Sequence, residues 1–120
     1  MERKIYRGTE SSTLQQEDDW GSLRWVASGA IGNADGLTLG HVKIKAGNSN
    51  PRHCHHNCEE VLYLMKGTLT HTLGDESFEM HAGDAISVPA GVFHNGINNG
   101  TIDADMIVVY DSATRDFVLE

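Results

Sequence analysis

Apolar and polar residues along this chain recur with the period of extended strands, and no helical periodicity lasts beyond a turn or two. In LTLGHVKIKA, residues 37–46, Leu37 and Leu39 share one parity while Val42, Ile44 and Ala46 share the other. The alternation switches around Gly40, which predicts a bulge at that glycine. VLYLM (61–65), TLTHTL (68–73), SFEM (77–80), AISV (85–88) and MIVVY (106–110) predict further strands. They are separated by GDES, HAGD and NGINNG, whose Gly, Asn, Asp and Ser suit tight turns. In GDAISVPAGVFHNGIN, 83–98, a strand, a tight Pro89-Ala90-Gly91 turn and a returning strand carry His94. Short strands at this spacing predict an all-β domain, a barrel or a sandwich.

Composition supports that class and bounds the function. With 120 residues and 39% hydrophobic content, the chain suits one domain with one modest core. Thirteen glycines fit many tight turns, and only two prolines argue against a disordered linker. Residues 1–19 are polar, end in the acidic QQEDD and read as an N-terminal arm able to form a strand at a dimer interface; residues 20–120 read as the single domain. Seventeen acidic against nine basic residues give a formal charge of −8, which opposes attraction to nucleic acid or to anionic membrane surfaces. The opening MERKIYRGTESS has no apolar segment of the secretory kind, and runs such as Met106–Tyr110 are too short to cross a bilayer. A soluble cytoplasmic protein is expected, with Cys54 and Cys58 as reduced thiols.

The chemistry concentrates in GNSNPRHCHHNCEEVLYLMKG, residues 47–67. On an extended strand, side chains two apart share a face about 6.7 Å apart. His53 and His55 can therefore aim at one ion while Cys54 points away. His56 has the wrong parity and is followed by the turn-former Asn57, so His56 and Cys58 read as turn or surface residues. The turn through HNC breaks the count, and spacing alone leaves the carboxylate open between Glu59 and Glu60.

Two stretches together resemble the signature motifs of the cupin superfamily. The first is Gly47, five residues, His53-X-His55, four residues, Glu60, six residues, Gly67. The second is Gly83, five residues, Pro89-X-Gly91, two residues, His94, three residues, Asn98. The resemblance implies a double-stranded β-helix, a jelly-roll-like barrel whose open mouth leads to a metal. It also implies Glu60 as the carboxylate, with Glu59 its outward neighbour, and hence His53, His55, Glu60 and His94 as the metal set. Asn98, the last motif position, is assigned to the turn or to the surroundings of the site. Small cupins resemble one another in pairing, which implies a homodimer here.

Three neutral imidazoles and one carboxylate around a divalent ion make a site of net charge +1, open to Fe, Mn, Co, Ni, Cu or Zn. Four protein ligands on an octahedral ion leave two positions for water, dioxygen or a bidentate substrate. The expected function is a metal-dependent enzyme of dioxygenase, isomerase or lyase type acting on a small oxygenated metabolite. The alternative is a noncatalytic module that binds a small molecule through the same metal; no DNA-binding pattern accompanies it. His71, on TLTHTL, is a candidate general base. Arg24, Lys43 and Arg52 could each clamp a substrate carboxylate, Arg52 being favoured by its place beside His53. Trp20, Trp25 and Phe93 either wall the pocket or fill an interface. Tyr63 has the parity that faces away from the metal, and His41 and His81 lack motif support.

Overall fold

A computed structural model describes residues 5–9 and 14–120. The described residues form eleven strands: β1 (Gln15–Asp18), β2 (Gly21–Ala27), β3 (Thr38–Ile44), β4 (His53–Cys54), β5 (Glu60–Lys66), β6 (Thr68–Leu73), β7 (Glu76–His81), β8 (Ala85–Val88), β9 (His94–Ile97), β10 (Ala104–Tyr110) and β11 (Val118–Leu119). A six-stranded sheet runs β1-β2-β3-β10-β5-β8 and a five-stranded sheet runs β11-β4-β9-β6-β7. Neighbours pair antiparallel throughout. This is an all-β sandwich of jelly-roll form, with both inner faces contributing to one core.

The strict period of two explains which side chains meet. On β5, Glu60, Leu62 and Leu64 are buried while Val61, Tyr63 and Met65 are exposed. Val42 and Ile44 on β3 and Met106, Val108 and Tyr110 on β10 lie on the same inner face. The opposite sheet supplies Leu69 from β6 and Met80 from β7. Glu60 is thus a carboxylate at the end of an otherwise apolar stripe, placed there by the same alternation that buries the leucines.

The bulge expected at Gly40 lies on the facing strand instead. β3 alternates without interruption from Thr38 to Ile44, and the register shift falls in β2 between Trp25 and Ala27. Gly40 points inward beneath the Trp25 ring, and a Cβ there would stand 2.7 Å from two ring carbons. Apparent loss of parity in the sequence arose from a position that must be empty so that a large neighbour can lie flat. Gly40→Ala is expected to cost about 1–3 kcal/mol through overpacking, read as a lower urea midpoint with an unchanged m-value.

The expected N-terminal arm is described in part. Residues 1–4 and 10–13 of it lie outside the described residues, whereas Gln15–Asp18 form β1, paired to β2 of the same chain. Its QQED sequence exposes every side chain, as suits the edge of a sheet. The strands predicted at 68–73 and 85–88 have those bounds, those at 61–65, 77–80 and 106–110 each extend by two residues, and the stretch 37–46 shortens to 38–44. Among the described residues no helix is long and apolar enough to cross a membrane.

Candidate metal centre

Four ligand atoms, one each from His53, His55, Glu60 and His94, lie within 4.8 Å of one another, and all four residues are buried. Chain segments far apart in sequence deliver them. β4 brings His53 directly opposite His94 of β9, the loop after β4 carries His55, and β5 supplies Glu60 from the facing sheet.

Each imidazole is oriented by the backbone. His53 Nδ1 donates to the Pro51 carbonyl at 2.8 Å, His55 Nδ1 to that of Asp116 at 2.6 Å, and His94 Nδ1 to that of Val92 at 2.9 Å. A carbonyl only accepts, so each neutral ring carries its proton on Nδ1 and presents the Nε2 lone pair to the centre. There His94 Nε2 stands 3.1 Å and His55 Nε2 3.4 Å from the same Glu60 oxygen. Three nitrogen lone pairs and a carboxylate face one another with no protein donor among them, and His55 Nε2 is buried without a hydrogen-bond partner. Such a set is electrostatically complete only around a cation, and its N3O donors suit a divalent transition metal.

The ionisation of the residues agrees with that fit. Burial favours the neutral acid of Glu60, but His55 and His94, once protonated, outweigh it and hold the carboxyl well below its usual range, as a cation at the same point would. Burial pushes His53 down to about 4 despite the Pro51 carbonyl, and neighbouring His94 and His55 act in the same direction as burial. His71, 1% exposed on β6, is lowered to about 4, again by burial first and by His94 second. Its ring lies parallel to that of His94 with centroids 5.7 Å apart.

These shifts predict acid sensitivity of the metal-free protein. The folded values near 4 lie below the ordinary 6.5, so in falling pH the unfolded chain binds protons first and stability drops between 6.5 and 4. Each histidine should withdraw about 2 kcal/mol by pH ~5, and above pH 6.5 its contribution is constant. Melting temperatures at pH 7 and pH 5 check this, and His71→Gln should flatten the slope.

The four ligands, of which His53, Glu60 and His94 line its wall, sit at a cavity of about 390 Å³. Its apolar wall is the inner face of the six-stranded sheet, including Leu23, Val42, Leu62, Met106 and Val108. His71 lines it too, with Nδ1 buried and lacking a hydrogen-bond partner. Trp20 is on the wall, whereas Trp25 packs beside Tyr110 with ring centroids 6.3 Å apart, and neither Trp25 nor Phe93 borders the cavity.

Arg52 is a correction to the expected carboxylate clamp. Its guanidinium is bidentate to Glu120 at 2.9 and 3.1 Å, with a further bond to Thr72 Oγ1 at 3.1 Å, and it does not border the cavity. Neither Arg24 nor Lys43 borders it. Among the described residues the cation that does is Arg115, which sequence reasoning missed; it lies 4.2 Å over the Trp25 ring, with Tyr110 and Phe117 close by. Tyr110 was also missed as a site residue: burial first and the Glu60 carboxylate second raise its phenol, so it stays protonated. Phe117 stacks on His53 at 4.7 Å. Tyr110 and Phe117 were hidden because a strand-end tyrosine and an isolated phenylalanine carry no spacing signal.

The remaining residues fall outside the centre. His56 is exposed, with Nε2 3.6 Å from Cys54 Sγ, while Cys58 belongs to the core and not to the surface as expected. Cys54 and Cys58 are both free thiols. Glu59 faces solvent, and its amide donates to Asp111 at 2.9 Å. His41 pairs with Asp105 at 3.1 Å, and His81 is exposed.

A double-sheet jelly roll with an inward His3Glu cluster defines a class, the metal-binding β-barrels. Within that class, a profile described as "Cupin domain" matches residues 40–110, and the chain belongs to the cupin family. It is 31% identical over 85 residues to germin-like protein subfamily 2 member 1 of Arabidopsis thaliana, covering 67% of this chain and 39% of that protein. It is 28% identical over 94 residues to oxalate oxidase GF-3.8 of Triticum aestivum, covering 72% and 42%. With tetracenomycin polyketide synthase protein TcmJ of Streptomyces glaucescens it shares 27% over 97 residues, covering 81% and 65%. The chain thus spans less than two thirds of the length of these relatives. Among solved structures, recombinant oxalate oxidase in complex with glycolate superposes with a TM-score of 0.77 at 23% identity, over 87% of this chain and 57% of that one. The Lactobacillus farciminis oxalate decarboxylase formate complex gives 0.81 at 20% identity, over 88% and 32%. Likeness at this identity is a likeness of fold.

Proposed function

We propose that the protein is a metal-dependent enzyme acting on a small oxygenated metabolite that chelates the ion held by His53, His55, Glu60 and His94. The observation that carries this reading is the convergence of three backbone-oriented Nε2 lone pairs and one ionised carboxylate beside a cavity. When bound by these four residues, a divalent transition metal would supply Lewis acidity or redox chemistry there. The apolar wall excludes water and strengthens every polar contact to the substrate. His71, neutral at pH ~7 and lacking a partner at Nδ1, is the group able to accept a proton from a bound substrate. Tyr110, held as a neutral phenol beside Glu60, is a donor and not a base. The name of one similar protein, oxalate oxidase, supports a small oxygenated substrate.

Metal analysis of protein purified without added metal, combined with an oxygen electrode and a substrate screen, tests the reading. Stoichiometric metal with turnover is expected. Oxygen uptake assigns the dioxygenase branch, and turnover without uptake assigns the isomerase or lyase branch, in which His71→Gln should lower kcat by ~100-fold while leaving metal content unchanged. Tight ligand binding with no turnover would replace the enzyme by a binding module. The same reading includes a homodimer, supported by the apolar Val61, Tyr63 and Met65 exposed on β5. Light scattering at micromolar concentration should give twice the chain mass.

A further inference from the structure

The size and walls of the cavity describe the ligand more narrowly than the metal does. At about 390 Å³ it equals the share of roughly a dozen liquid waters, at ~30 Å³ each, while a two-carbon dicarboxylate displaces only about three. Spaces of ~300–1,000 Å³ are those that enclose ligands of drug size. Leu23, Val42, Leu62, Met106 and Val108 offer such a ligand no hydrogen bond and reward an apolar body. Phe117 and Arg115, the latter laid over the Trp25 ring, add flat surfaces.

Charge narrows the ligand again. A divalent ion with Glu60 leaves +1 at the centre, which a singly ionised pair of oxygens neutralises. A dianion would leave a negative charge against an aliphatic wall, where an unpaired charge is costly. Among the described residues the other charged side chains on the wall are Asp18, which repels an anion, and Arg115, whose guanidinium lies flat over the Trp25 ring and keeps its charge. His71 offers one further polar contact at Nδ1, buried and unpartnered.

Resting on the metal reading above, we infer that the cavity takes an aromatic or fused-ring metabolite bearing two adjacent oxygen donors, one of them ionised, such as a catechol- or enol-type chelate, and not a small dicarboxylate. The oxygens meet the ion, and the rings lie along the inner face of β2, β3, β5 and β10.

Calorimetric titration of zinc-loaded protein with catechol, 2,3-dihydroxynaphthalene and oxalate tests this, because the two diols share one chelating head and differ by one ring. Zinc is redox-inert, so binding is read without turnover. Zinc stoichiometry is measured first and tests the metal reading alone: about one per chain is required, and none would remove both conclusions. Given bound zinc, the naphthalenediol should bind at least ~tenfold more tightly than catechol through the extra buried ring. It should also bind more tightly than oxalate. Leu23→Trp, which fills the wall, should bring the two diols to similar affinity with zinc content kept. Equal affinities for the diols in the unaltered protein, or oxalate binding more tightly than the naphthalenediol, would overturn the inference while leaving the metal reading intact.

Discussion

Glu60→Gln and His94→Ala will lose metal affinity by at least ~100-fold, beyond the 10–100-fold typical of outer-shell changes, because each removes a donor from a four-membered set. Glu60→Gln keeps the shape but removes the only negative charge among the four ligands. Three imidazoles around a dication then lack the anion that lowers the charge of the centre, and the amide oxygen is a poorer donor. His94→Ala removes one of the nitrogens whose Nδ1 is pinned to a backbone carbonyl, so no neighbouring ring can swing in to replace it. His56→Ala, an exposed side chain outside the cluster, should retain metal. Cys58→Ser should retain it as well, while losing stability, since a buried hydroxyl replaces a core thiol. Competition with a chromophoric chelator gives the affinities, and equal values for all four variants would refute the assignment.

Asn98→Ala will cost about 3–5 kcal/mol of stability, among the largest single effects in the fold. The side chain is fully buried at 0% exposure, and its Nδ2 donates to the carbonyls of Ile44 at 2.9 Å and Ile102 at 3.0 Å. Its Oδ1 accepts from the Gly100 amide at 2.9 Å. One amide thus closes the turn after β9 and ties it to the end of β3 from the other sheet. Alanine leaves one buried and two part-buried backbone groups without this partner at once, with a penalty of up to ~1–3 kcal/mol each before relaxation and water entry. Chemical unfolding should show the loss directly. The metal set should persist in the folded fraction, because Asn98 touches none of the four ligands and secures the turn that follows the His94 strand.

Much of the site could be read from the chain because its side chains obey local periodicity. His53 and His55 differ by two positions, and Glu60 begins a strand whose next even positions, Leu62 and Leu64, are core. Arg115 and Phe117 could not be read this way. They lie in an irregular segment after β10, and only the return of that segment across the cavity mouth brings them near His53 and Trp25. Arg52 shows the reverse error: adjacency to His53 in sequence suggested a clamp, yet on a strand neighbours point to opposite faces, and its guanidinium finds Glu120 instead. Gly40 misled for a related reason, since a missing side chain was taken for broken register when Trp25 had filled its place.

By itself the sequence determined the all-β class, most inner strands and the shared face of His53 and His55, consequences of a period of two that holds wherever one face of a strand is buried. Glu60 and His94 were legible through the resemblance to the cupin motifs. Tertiary structure alone decided that one Glu60 oxygen would face His55 and His94, that β1 would close the edge of a sheet, and which cation would border the cavity. Those outcomes depend on pairing between segments tens of residues apart, where the distance along the chain carries no information about the distance through space.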